Sequence, residues 1–162
     1  MAEQRLVFLH STLGDGRLFL NNVSLGLYAR LVHRREHHRR RREAFARLRA
    51  LAIVATEREP VGITVDGDAI SAQVVLVANN SYGLELLSLG ARKRLDEGLL
   101  HLYAPKGLLR EEWEERRSDR FVVDARREGL RAAVDGEPDV LATPIEFRVE
   151  PRALRVLLPS NI

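Results

Sequence analysis

Short stretches of alternating apolar and polar residues, rather than long helical stripes, dominate the chain. Residues 5–10 and 17–23 alternate loosely around Gly14-Asp15-Gly16. They read as two strands of a hairpin, because a glycine-aspartate turn supplies the positive φ angles that a tight reversal needs. Residues 61–65 and 69–78 flank Asp66-Gly67 and give the strongest hairpin signal in the sequence. The second arm, ISAQVVLVA, begins with alternation and ends wholly apolar, which predicts burial on both faces at its end. Asn79-Asn80-Ser81-Tyr82-Gly83 then closes it with turn-forming side chains. Further strands are predicted over 99–104, 120–124, 131–134, 145–149 and 154–158. A proline and a return strand follow Asp135-Gly136-Glu137.

One region has helical spacing. After Gly26, Tyr28, Leu31 and Val32 fit a helix stripe, and so do Phe45, Leu48, Leu51 and Ala52. Arg35, Arg39 and Arg42 interrupt the same face, so the helix either projects beyond the core or is split by a loop. Residues 108–117 predict a short helix with acidic residues in its middle. About nine short strands with one or two helices favour a mainly β fold: a β-sandwich with helical insertions, one domain over 1–162.

Composition narrows the class. The 162 residues are 45% hydrophobic and 30% charged, and they contain no cysteine. Disulfides and thiolate metal sites are thereby excluded. No apolar run approaches the roughly 18 residues that a membrane span requires, and the N-terminus lacks the order of a signal peptide. A cytoplasmic location is the expectation. The net charge of +3 is unevenly spread: residues 30–49 carry nine arginines against Glu36 and Glu43, +7 in all, which leaves −4 elsewhere. This basic segment has three readings: a solvated face, contact with an anionic membrane surface, or nucleic-acid binding. Aromatic residues able to stack on bases are absent from it, which weighs against the last. His33 and His37 stand one helical turn apart but lie among arginines, which repel a metal ion.

Neither glycine-rich turn has the spacing or the strand-to-helix setting of a nucleotide phosphate loop. The strongest chemical candidate is Asp135-Gly136-Glu137. On a continuing strand the two carboxylates would share one face, where hard oxygen ligands attract Mg²⁺ or accept a hydroxyl proton. A plain hairpin turn explains the same three residues. Asn79-Asn80 either caps a turn or holds a ligand's polar groups.

Four segments in order resemble the C-terminal domain of the diacylglycerol kinase and sphingosine kinase-type lipid kinases, the bacterial members above all. They are GRLFLNNVSLGL (16–27), VANNSYGLELLSLGARKRLDEGLLHLY (77–103), AVDGE (133–137) and TPIEFRVEPRALRVLLP (143–159). The shared order, over nearly the whole chain, carries the resemblance. It implies a β-sandwich that is the second half of a two-domain kinase, with the nucleotide-binding α/β domain and its Gly-Gly-Asp-Gly-Thr segment absent here. It further implies ATP as phosphate donor, Mg²⁺ as cofactor and a lipid alcohol such as diacylglycerol as substrate. Asp135 and Glu137 are the implied catalytic residues, Asn21, Asn79 and Asn80 the substrate-binding ones. Asp96 or Glu97 is implicated in a structural Mg²⁺, although the family often has Asp-Asp-Gly where this chain has Asp-Glu-Gly. The isolated chain is expected to be inactive without its partner domain and prone to self-association. The rival reading is a non-catalytic binding module that uses the arginine-rich segment 30–49 to hold nucleic acid or a partner protein. NAD kinase relatives share the two-domain plan but fit Asn-Asn-x-Tyr and the closing strands less well.

Overall fold

Alternation along short strands produces two antiparallel sheets of six strands each. The structure, a computed structural model, describes residues 11–13, 16–26, 61–82, 97–106 and 113–150. Twelve strands lie among them: β1 (Ser11–Leu13), β2 (Leu18–Phe19), β3 (Asn22–Gly26), β4 (Ile63–Val65), β5 (Asp68–Ile70), β6 (Val74–Asn79), β7 (Leu100–Pro105), β8 (Trp113–Ser118), β9 (Arg120–Ala125), β10 (Gly129–Val134), β11 (Glu137–Ala142) and β12 (Ile145–Val149). The first sheet runs β2-β1-β12-β9-β4-β5 and the second β11-β10-β3-β6-β7-β8. No helix occurs among the described residues. The arginine-rich segment and the strands predicted at 5–10 and 154–158 lie outside them.

One apolar cluster joins the two sheets. Phe19, Val65, Phe121, Val123 and Phe147 from the first meet Val23, Leu25, Val75, Val77, Leu100 and Leu102 from the second. The sheets pack face to face as a sandwich whose core comes from the inward-pointing half of each strand. Phe19 and Phe147 meet edge to face, ring centroids 6.1 Å apart, the arrangement that aromatic quadrupoles favour.

The sheets differ on their other faces. In β9 the pattern alternates, with Phe121 and Val123 buried between exposed Arg120 and Asp124. In β7 every residue is buried, and β6 ends in three consecutive buried residues, Val77, Ala78 and Asn79. The double burial expected for the end of 69–78 is thus present.

Three expectations need correction. The strand expected over 17–23 is two strands in different sheets: β2 pairs with β1, and β3 with β6 and β10. The arm expected over 69–78 breaks at residues 71–73, and its halves β5 and β6 also belong to different sheets. Finally, residues 113–117, expected in a helix, lie in β8, an edge strand paired with β7. There Arg116 Nη2 lies 2.6 Å from Glu114 Oε1. A spacing of two brings side chains together on one face of a strand, not on a helix.

Candidate functional site

The register of the second sheet brings distant segments to one end. Val134 pairs with Val23, Asn22 with Ala78, and Asn79 with Leu100. The end of β10, the start of β3, the end of β6 and the start of β7 therefore lie side by side. Asn21, Asn79, Asn80, Glu97, Asp135 and Glu137 all sit at that edge or in its loops. Asp96 lies outside the described residues.

Asp135 and Gly136 form the two-residue turn between β10 and β11, with φ of 49° and 91°. Strand pairing resumes at Glu137, opposite Val134. The continuing strand that would place both carboxylates side by side is therefore absent; a tight reversal lies between them. Asp135 faces the β2–β3 loop. Its Oδ2 accepts from the Leu20 amide at 2.7 Å, and its Oδ1 accepts from the amides of Asn21 and Asn22 at 2.7 and 3.1 Å. The Asp135 amide donates to the Asn22 carbonyl at 2.9 Å. One carboxylate thus satisfies three backbone donors at the break between β2 and β3. Glu137 is exposed and forms no side-chain hydrogen bond or ion pair with the described residues.

A second network continues from this loop. Asn79 Nδ2 donates to the Leu20 carbonyl at 3.2 Å. Asn80, at φ 65°, donates from Nδ2 to Asn79 Oδ1 at 3.3 Å and accepts at Oδ1 from the Glu97 amide at 2.9 Å. Both asparagines are buried, whereas Asn21 is exposed. Their amides hold backbone and one another; Asn21 faces outward.

Glu97 is the next node. Its Oε1 accepts from Ser81 Oγ at 2.6 Å, and its Oε2 lies 2.8 Å from His101 Nε2. Burial alone would push the Glu97 carboxyl up. The Ser81 hydroxyl and the His101 ring outweigh it and hold the group below its ordinary value. His101 is only 3% exposed, and its Nδ1 faces Glu115 Oε1 at 3.5 Å. Its ring stacks on Tyr103 with centroids 6.0 Å apart. The Tyr103 hydroxyl accepts from the Tyr82 amide at 3.0 Å, and the Tyr82 hydroxyl accepts from Asn22 Nδ2 at 2.9 Å. Two routes therefore lead from His101 back to the loop that Asp135 grips.

As a metal ligand Glu97 has part of its acceptor capacity already taken, since each of its oxygens receives a side-chain donor. Among the described residues no group of three His, Asp or Glu side chains is placed to hold an ion.

The same architecture occurs in solved kinases. The chain superposes on a diacylglycerol kinase from Bacillus anthracis str. Sterne with a TM-score of 0.58 at 16% identity, over 99% of this chain and 56% of that one. Two further structures from the same bacterium, whose assignment as diacylglycerol kinases is provisional, give similar results. One has a TM-score of 0.61 at 19% identity, over 99% of this chain and 59% of the other. The second has a TM-score of 0.59 at 17% identity, over 92% and 55%. No protein-family model matches the chain, and no curated protein does. The chain has the fold of part of a diacylglycerol kinase. It spans little more than half the length of those kinase structures.

Within this fold, Asn21, Asn79, Asn80, Glu97, Asp135 and Glu137 come to one end of one sheet, from segments more than a hundred residues apart. Two exposed leucines, Leu20 and Leu99, flank them. Sequence reasoning passed over His101 as one histidine among five. The available signal was a lone polar side chain in the apolar strand LHLYAP: on a strand buried on both faces such a group needs a partner, and Glu97 stands four residues before it.

Proposed function

We propose that this chain is the strand-rich second domain of an ATP-dependent lipid kinase that phosphorylates a long-chain lipid alcohol such as diacylglycerol. The observation that carries this reading is the gathering of the candidate carboxylates and asparagines at one sheet end, in a fold shared with diacylglycerol kinases. ATP and its Mg²⁺ would be held mainly by a nucleotide-binding domain that this chain does not span. Phosphoryl transfer depends on positioning and on neutralising developing charge, and this chain supplies the acceptor side.

The two carboxylates divide the work. Glu137, exposed and unengaged among the described residues, is the base that takes the lipid hydroxyl proton. The hydroxyl oxygen then bonds to the γ-phosphorus as the bond from that phosphorus to the bridging oxygen breaks, and ADP leaves. Asp135 is the brace: with its oxygens given to three amides, it fixes the loop that carries exposed Asn21 toward the substrate. Asn79 and Asn80 hold that loop from behind, and Leu20 and Leu99 offer apolar surface to the lipid. Diacylglycerol resides in membranes, so the substrate would be met at a membrane surface.

The test is to express the complete reading frame that contains this chain and assay it with ATP and vesicles containing diacylglycerol or other long-chain alcohols. Labelled phospholipid is the expected product, and its absence for every lipid alcohol would overturn the reading. The chain alone is expected to give no turnover.

A further inference from the structure

We infer that the His101 imidazole holds the place beside Glu97 where a structural cation was expected, so that Glu97 ties this end of the sheet together without a divalent metal of its own. The inference concerns assembly of the domain and stands independently of the proposed kinase reaction.

The resemblance puts a structural Mg²⁺ at the Asp-Glu-Gly segment. Such an ion takes oxygen ligands at about 2.0–2.1 Å in near-octahedral geometry and usually keeps several waters. At Glu97, Oε2 is instead met by a ring nitrogen at 2.8 Å and Oε1 by a hydroxyl at 2.6 Å. A carboxylate offers only lone pairs, so the imidazole must donate its Nε2–H, and a proton on nitrogen excludes a metal at that atom. An ion bound to Oε2 from the same side would have to displace the ring. The ring has nowhere open to go: it is 3% exposed, it stacks on Tyr103, and Glu115 stands 3.5 Å behind its Nδ1.

The arrangement also does what a structural ion would do. It ties the start of β7 to the end of β6, through Glu97 Oε1 to Ser81 and through the Glu97 amide to Asn80. From Asn80 the link runs through Asn79 to Leu20, and from the Tyr103 hydroxyl through Tyr82 to Asn22. His101 thus acts as a positioning residue for the loop that Asp135 braces, with no contact to a substrate required of it.

Thermal unfolding of the purified chain, in EDTA and in millimolar Mg²⁺, tests the first half of the inference. The two midpoints should coincide, and Mn²⁺ should leave the amide NMR signals of Ser81, Glu97 and His101 unbroadened. A midpoint that falls in EDTA and recovers with Mg²⁺, or selective broadening of those three signals, overturns it. Two variants test the second half. His101→Phe keeps a ring against Tyr103 but has no donor, whereas His101→Gln keeps an N–H that can reach Glu97. The expected midpoint of His101→Phe is lower than that of His101→Gln by roughly 5–10 °C, with the amides of Leu20 and Asn22 shifted only in the former. Equal midpoints, or loop signals unmoved in His101→Phe, contradict the positioning role. If neither variant folds, the EDTA and Mn²⁺ measurements on the unaltered chain decide.

Discussion

Asp66-Gly67 joins β4 to β5 in one sheet, and Asp135-Gly136 joins β10 to β11 in the other. The backbones match: φ is 52° and 91° at the first turn, 49° and 91° at the second. In both, the aspartate amide donates to a carbonyl of a neighbouring segment, Val122 for Asp66 and Asn22 for Asp135. The side chains diverge. Asp66 Oδ1 accepts one amide, from Val122 at 2.8 Å, in an adjacent regular strand. Asp135 accepts three, from a loop where the chain leaves one sheet for the other. The same dipeptide thus builds the same turn twice. Only the second turn stands beside the break between β2 and β3, and that is the end where the candidate site gathers.

The comparison yields graded expectations. Asp135→Ala should cost the most, about 3 kcal/mol, because it leaves three amides at the β2–β3 break without their acceptor. Asp66→Ala should cost about 1 kcal/mol, for one lost hydrogen bond in an exposed turn. Urea unfolding of both variants measures the gap, and equal losses would erase the proposed difference between the turns. Gly67→Ala and Gly136→Ala should each cost about 1 kcal/mol and agree closely. Both glycines have φ of +91° with open space where a Cβ would stand, so strain alone acts.

A smaller effect comes from a link between the sheets. Arg116 in β8 bonds Glu114 on its own strand and Asp68 at the start of β5. Burial alone would push the Glu114 carboxyl up; Lys106 and Arg116 outweigh it and hold the group below its ordinary value of 4.5. A carboxyl lowered by folding contributes stability above its unfolded value and loses it as the pH falls through the folded one. Stability should therefore decline below about pH 4.5, and Glu114→Gln should flatten that decline. An unchanged acid slope in the variant would show that the link contributes nothing.

Much of this contrast was legible in the residues. The Asp66-Gly67 turn, the double burial at the end of β6 and the strands around 120–124, 131–134 and 145–149 followed from local chemistry and period-two patterning, whereas for Asp135-Gly136 the turn was one of two readings. The breaks at residues 20–21 and 71–73 did not, because the switch between sheets rests on partners far away, Asp135 above all. Nor did β8: WEERRS is too charged for apolar periodicity to speak, and its glutamate–arginine pairs suit a helix until the strand brings residues two apart together. The gathering of Asn21, Asn79, Asn80 and Glu137 depended on the order of motifs, since no single one is specific. His101 was missed because a polar side chain within an apolar strand was not matched to Glu97, four residues before it.

The proposed division between a brace and a base is the central claim, and Glu137→Gln in the product of the complete reading frame tests it most directly. The account predicts that phosphorylation of diacylglycerol falls by about 100-fold or more, while the unfolding midpoint stays within about 1 °C of the unaltered protein, as for a surface substitution. A variant that keeps its full rate would contradict it.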